Sequence, residues 1–106
     1  MIGSIVKVTV DRPLHSVHPM YGTIYPVNYG YIKGIMAPDG EEQDAYILGV
    51  DIPLKEFTGR IIAMIRREDD IEDKWVVAPE GMSFSKEQIE AQVHFQEKYF
   101  KHEIIM

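Results

Sequence analysis

Four carboxylates fall within six residues of the stretch DGEEQD, at Asp39, Glu41, Glu42 and Asp44. Like charges this close repel and raise one another's proton affinity unless water or a cation separates them. A solvated turn is one way to hold them, and a hard metal ion is the other. Along a fully extended strand Asp39 and Glu41 share one face while Asp44 takes the other. Gly40 just after Pro38 favours a turn instead, which brings Asp39 and Glu41 round towards Asp44. Three converging carboxylates with no histidine or cysteine beside them suit Mg²⁺ or Mn²⁺. The spacing is not that of a calcium EF-hand loop.

A second acidic run, REDDIEDK, carries Glu68, Asp69, Asp70, Glu72 and Asp73 and ends in Lys74. Alone it is most simply a solvated face with surface ion pairs worth about 0–1 kcal/mol each. Paired with the first run at the ends of neighbouring strands, it would help hold several divalent ions, with Lys74 as a point charge for phosphate. Tyr21, Tyr25, Tyr29 and Tyr31 lie close together in the chain. Most are expected to fill a core or cover an edge, with one or two phenols directed into a cleft. His15 and His18 form H-x-x-H in a proline-containing loop, with no further ligand in pattern for zinc.

Positioning these groups falls to short extended segments. IVKVTV (5–10) alternates, with Val6, Val8 and Val10 on one face, and predicts a half-buried strand. Residues 11–22 carry two prolines and end in glycine, as a loop would. TIYPVNYGYI is extended but interrupted by Pro26 and Gly30, so it predicts an edge strand or a strand with a bulge. APDG (37–40) is a turn; DAYILGV (44–50), GRIIAMIRR (59–67) and KWVVAP (74–79) are further strands. A helix is expected from Ser85, where Ser85 and Gln88 have capping-box spacing and Phe84 and Ile89 that of a hydrophobic staple. Ile89, Val93 and Phe100, flanked by Phe95 and Tyr99, extend its apolar stripe to about residue 102. The expected fold is mainly β: a small closed antiparallel barrel of about five strands, OB-like, with one C-terminal helix.

The 106 residues suit one domain, 1–106. A net charge of −6 argues against a nucleic-acid partner. A single-strand binder using its tyrosines as stacking platforms would want a positive groove. There is no cysteine, and the apolar start MIGSIVKVTV is broken by Lys7, so neither a disulfide framework nor a signal or membrane segment is expected. A cytoplasmic protein with no membrane partner is the expectation, and the short chain with its strand edges is compatible with a homo-oligomer.

Taken in series, YPVNYGYI (25–32), DGEEQDAYIL (39–48) and EDKWVVAP (72–79) resemble the soluble family I inorganic pyrophosphatases. The resemblance covers about half the chain and implies a small closed β-barrel that hydrolyses pyrophosphate to two phosphates with Mg²⁺, Mn²⁺ being an alternative. It implies metal ligation by Asp39, Glu41 and Asp44 with acids of the second loop, where Glu72 falls on one family slot and Asp69, Asp70 or Asp73 would have to substitute at the other. Glu41 and Asp44 would help activate the attacking water, and Tyr29 would lie in the active-site cavity. Lys7, Arg12, Lys74 and Tyr99 would bind substrate. The chain departs from the family at Glu41, where aspartate is usual, and at Arg67 and Glu72, which occupy aspartate slots. It departs again at Tyr99-Phe100, in place of a Tyr-Lys pair, and in its shorter length. These departures leave a second reading open: a non-catalytic or weakly active relative that binds phosphate compounds or a partner.

Overall fold

The computed structural model describes residues 1–68 and 72–106. The chain runs β1 (Ile5–Arg12), β2 (Asn28–Met36), β3 (Glu42–Ile47), β4 (Glu56–Arg67), β5 (Asp73–Ala78), α1 (Lys86–Glu97) and β6 (His102–Ile105). Neighbouring strands follow the order β1-β2-β3-β5-β4-β6, and β1 also pairs with β4, closing five of them into a ring. Four ring pairings are antiparallel, but β3 and β5 are parallel, with Ala45 opposite Trp75 and Ile47 opposite Val77. The expectation of a wholly antiparallel barrel is corrected here for a reason of parity. Directions cannot alternate all the way round a ring with an odd number of strands, so one seam must be parallel.

Alternation along the strands sorts side chains into two buried clusters. Val8, Ile32, Ala45, Ile47, Ile61 and Val77 draw on all five ring strands and fill the ring. Tyr46, Leu48, Ile65 and Val76 take the opposite face and pack with Ile89 and Val93 of the helix. Strands covered on both faces read as nearly continuous apolar runs, which is how YIL and VVA look in the sequence. Where β2 crosses β1, Gly30 faces a bulge between Val10 and Arg12. A Cβ at residue 30 would lie 2.0 Å from the Thr9 carbonyl oxygen, so only glycine permits this approach. Among the described residues no helix is long and apolar enough to cross a membrane.

The helix starts as its sequence predicts. Ser85 Oγ accepts from the Gln88 N–H at 3.1 Å, and Gln88 Oε1 accepts from the Ser85 N–H at 2.8 Å. It ends earlier than the stripe suggests, at Glu97, and the chain turns into β6. The twelve-residue β4 explains this. β1 covers only its Glu56–Arg60 portion, whereas β6 pairs with Met64–Arg67. The bare edge of β4 recruits the C-terminal residues, satisfying backbone groups that a longer helix would leave open.

Glu97 occupies the third position of the buried helical face, after Ile89 and Val93, and is fully buried. Its carboxylate accepts from Arg67 Nε at 3.0 Å, Arg67 Nη2 at 2.8 Å and the Tyr46 hydroxyl at 2.7 Å. Burial pushes the Glu97 carboxyl up, but the hydrogen bonds from Arg67 and Tyr46 outweigh it and hold the group below its ordinary value. Stability from this pair is complete above the ordinary carboxyl value of 4.5 and is lost as the pH falls through the lower folded value. Glu97→Leu, which strands the Arg67 charge, is expected to destabilise the fold by about 3–5 kcal/mol in urea denaturation. Adding Arg67→Met should restore most of that loss and remove this acid-sensitive contribution. Equal destabilisation in the single and double variants would show that the charges are not coupled.

Candidate active site

Parallel pairing of β3 with β5 sets the starts of both strands side by side. The seam thereby brings Asp44, at the end of one acidic stretch, together with Glu72 and Lys74, at the end of the other. Buried Gln43 pins it: its Nε2 donates to the Asp73 carbonyl at 2.7 Å and the Asp44 carbonyl at 3.0 Å. Beside the seam opens a cleft of about 770 Å³. β1, β3, β4 and β5 give it Arg12, Asp44, Arg67 and Lys74; Tyr29 comes from β2 and Glu72 from just before β5.

Lys74 is the centre of the charged wall. Its side chain is 4% exposed, its Nζ lies 2.6 Å from Asp44 Oδ2, and it also donates to Glu72 Oε1. Among the described residues, two of the three ammonium donors are thereby committed, leaving one. The Tyr29 ring centroid is 5.6 Å from the same nitrogen. Burial, and then the charge of Asp44, hold the Tyr29 phenol well above its usual range. It therefore remains a neutral hydrogen-bond donor. Arg67 donates to Glu72 Oε2 at 3.3 Å and stacks its guanidinium 3.6 Å over the Phe100 ring. Asp44, Lys74, Glu72, Arg67, Glu97 and Tyr46 thus form one continuous polar chain.

Of the residues singled out in the sequence, Tyr29, Asp44, Glu72, Lys74, Arg12 and Tyr99 all line this cleft. Asp39, Glu41 and Lys7 do not. Asp39 and Glu41 are exposed, and the Asp39 carboxylate accepts the Glu41 N–H at 3.0 Å, closing its own turn around Gly40. Lys7, exposed on β1, pairs with Glu56 of the neighbouring strand β4 at 2.7 Å. Asp69 lies outside the described residues. Among the described residues, no three acidic, histidine or cysteine side chains converge as a metal site. The chemistry of the donors agrees: an ammonium already separates Asp44 from Glu72, and a resident divalent ion would have to displace it.

Sequence reasoning did not anticipate Glu97, nor the cleft position of Arg67, though a signal exists for both. Arg67 follows Ile61, Ala63 and Ile65 in strand phase, and Glu97 follows Ile89 and Val93 in helix phase. Opposite charges at two in-phase buried positions need a partner, and each is the other's. His18 is the other addition. Its Nδ1 accepts the N–H groups of Met20 and Tyr21 at 3.1 and 3.3 Å, fixing the turn instead of binding zinc.

No protein-family model matches the chain, and no curated protein is significantly similar in sequence. Solved structures are similar in fold. The inorganic pyrophosphatase of Ehrlichia chaffeensis superposes with a TM-score of 0.73 at 16% identity, over 97% of this chain and 85% of that one. The Coxiella burnetii enzyme gives a TM-score of 0.68 at 17% identity, over 98% and 85% of the two chains. That of Helicobacter pylori gives 0.67 at 19%, over 93% and 79%. From its first strand to its last, this chain is built on the inorganic pyrophosphatase fold.

Proposed function

We propose that the protein hydrolyses inorganic pyrophosphate to two phosphates, and that the pyrophosphate arrives as its Mg²⁺ or Mn²⁺ complex. The observation that carries this reading is the triad of Asp44, Lys74 and Tyr29 at the mouth of the parallel seam, on a pyrophosphatase fold. Charge balance supports the metal-bearing form of the substrate. Among the described residues the cleft sets Asp11, Asp44 and Glu72 against Arg12, Arg67 and Lys74, with Glu97 beneath them. No surplus of positive charge is left for a bare pyrophosphate, so the neutralising cation comes with it.

In this scheme the remaining donor of Lys74, together with Arg12, holds the leaving phosphate and stabilises the charge developing on it. Tyr29, held neutral, donates to a substrate oxygen, and Tyr99 borders the bound anion. Asp44 orients the attacking water and takes its proton as the oxygen adds to one phosphorus. The bridging P–O bond breaks, and its electron pair leaves with the second phosphate. Glu72 keeps Lys74 in place from the other side.

Phosphate release from pyrophosphate, ATP and a simple monoester, with and without Mg²⁺, tests the reading. Activity is expected with the metal complex and is abolished by excess chelator. Asp44→Asn should lower the rate by about a hundredfold or more with an unchanged circular dichroism spectrum, as loss of a proton acceptor would. Undiminished turnover in that variant would sink the assignment. Lys74→Met should weaken both binding and turnover, and it should cost about 1–3 kcal/mol of stability. That is less than a fully buried pair because Asp44 and Glu72 keep some water. A second reading, a binder of phosphate compounds without turnover, is favoured by Lys74 standing between the two carboxylates. Calorimetric binding of magnesium pyrophosphate with no phosphate released would establish it.

A further inference from the structure

Part of the cleft has no role in handling pyrophosphate. Its lining includes several aromatic rings, and one of them, Tyr21, is 76% exposed and contributes nothing to the core or to the hydrolysis proposed above. Inorganic pyrophosphate would fill only a fraction of about 770 Å³, a volume suited to a ligand with an organic moiety. The aromatic wall is also continuous with the charged one. Tyr29, beside Lys74, lies 5.7 Å from Tyr25; Tyr25 stacks on His18 at 6.5 Å, and His18 meets Tyr21 at 4.8 Å.

The turn carrying Tyr21 is held in place without any ligand. His18 Nδ1 accepts two of its backbone N–H groups, the His18 N–H donates to Thr23 O at 2.8 Å, and Gly22 N–H donates to His18 O at 3.1 Å. A bridge between Val17 and Ile24 closes the base of the loop. An exposed ring on a pre-set turn loses little freedom when a flat group stacks on it. Such platforms accept any nucleobase, because every base presents a π-face.

We infer that the cleft takes a nucleoside diphosphate or triphosphate, its phosphoanhydride at Lys74 and Arg12 and its base stacked on the His18–Tyr21 turn. The phosphate end of this inference rests on the function proposed above, but the base end does not. Titration calorimetry in Mg²⁺ with ADP, adenosine and pyrophosphate tests it, alongside phosphate release. ADP is expected to bind about tenfold or more tightly than pyrophosphate. Tyr21→Ala should erase that gain while leaving the affinity for pyrophosphate unchanged, and Tyr21→Phe should preserve it. Because the side chain is exposed, neither variant is expected to disturb folding, which circular dichroism verifies. ADP binding no tighter than pyrophosphate, or Tyr21→Ala weakening both alike, overturns the inference. Hydrolysis of pyrophosphate with no nucleoside gain overturns the base site alone. A Tyr21-dependent gain without phosphate release supports the base site and overturns the hydrolysis instead.

Discussion

Five strands in a ring cannot all run opposite to their neighbours, and the position of the single parallel seam decides where this protein can do chemistry. Everywhere else on the barrel, a strand's start lies beside its neighbour's end. Only between β3 and β5 do two starts coincide. Asp44 from one start therefore meets Lys74 and Glu72 from the other. Gln43, buried at the seam and bonded to the Asp73 carbonyl, holds the two starts in register with one amide group. Asp44 and Lys74 come within 2.6 Å of each other as a result.

The cleft's charges are organised as alternating pairs, not as a cluster of one sign. Asp44 and Glu72 flank Lys74, and Glu72 and Glu97 flank Arg67. Buried charges survive only when paired and hydrogen-bonded, and each cation here has two carboxylates. Among the described residues this interleaving keeps Asp44, Glu72 and Glu97 apart, and Asp44 and Glu72 could share a divalent ion only by displacing the Lys74 ammonium. Arg67 and Lys74 do structurally what a metal would do electrostatically, keeping like charges apart.

The sequence displays the strands and the helix start clearly because their signals are local: alternation in IVKVTV, apolar runs covered on both faces, and a capping box at Ser85 and Gln88. What it hides is set by distant partners. The helix stops at Glu97 because β4 outruns β1, a mismatch between strands far apart in the chain. The segment HEII is too short to announce itself as β6. Asp44 and Lys74 stand out in the sequence from the two acidic runs, and Tyr29 from the resemblance carried by YPVNYGYI; all three line the cleft. The acidic turn is not legible, because proximity along the chain does not tell a turn that closes on itself from one that reaches into a cleft. Asp39 spends its carboxylate on the Glu41 N–H.

The bond between Arg67 and Glu97 joins the end of β4 to the last turn of α1, and Arg67 also reaches the cleft through Glu72. The C-terminal helix is therefore not an accessory laid on a finished barrel. Releasing it would leave Arg67 with Glu72 alone and free Tyr46 and Gln96 from their shared hydrogen bond. Helix, seam and cleft are joined by these bonds, and Phe95 and Gln96 carry the last turns of the helix into the cleft wall, so a ligand that tightens the cleft will slow hydrogen exchange along the helix as well.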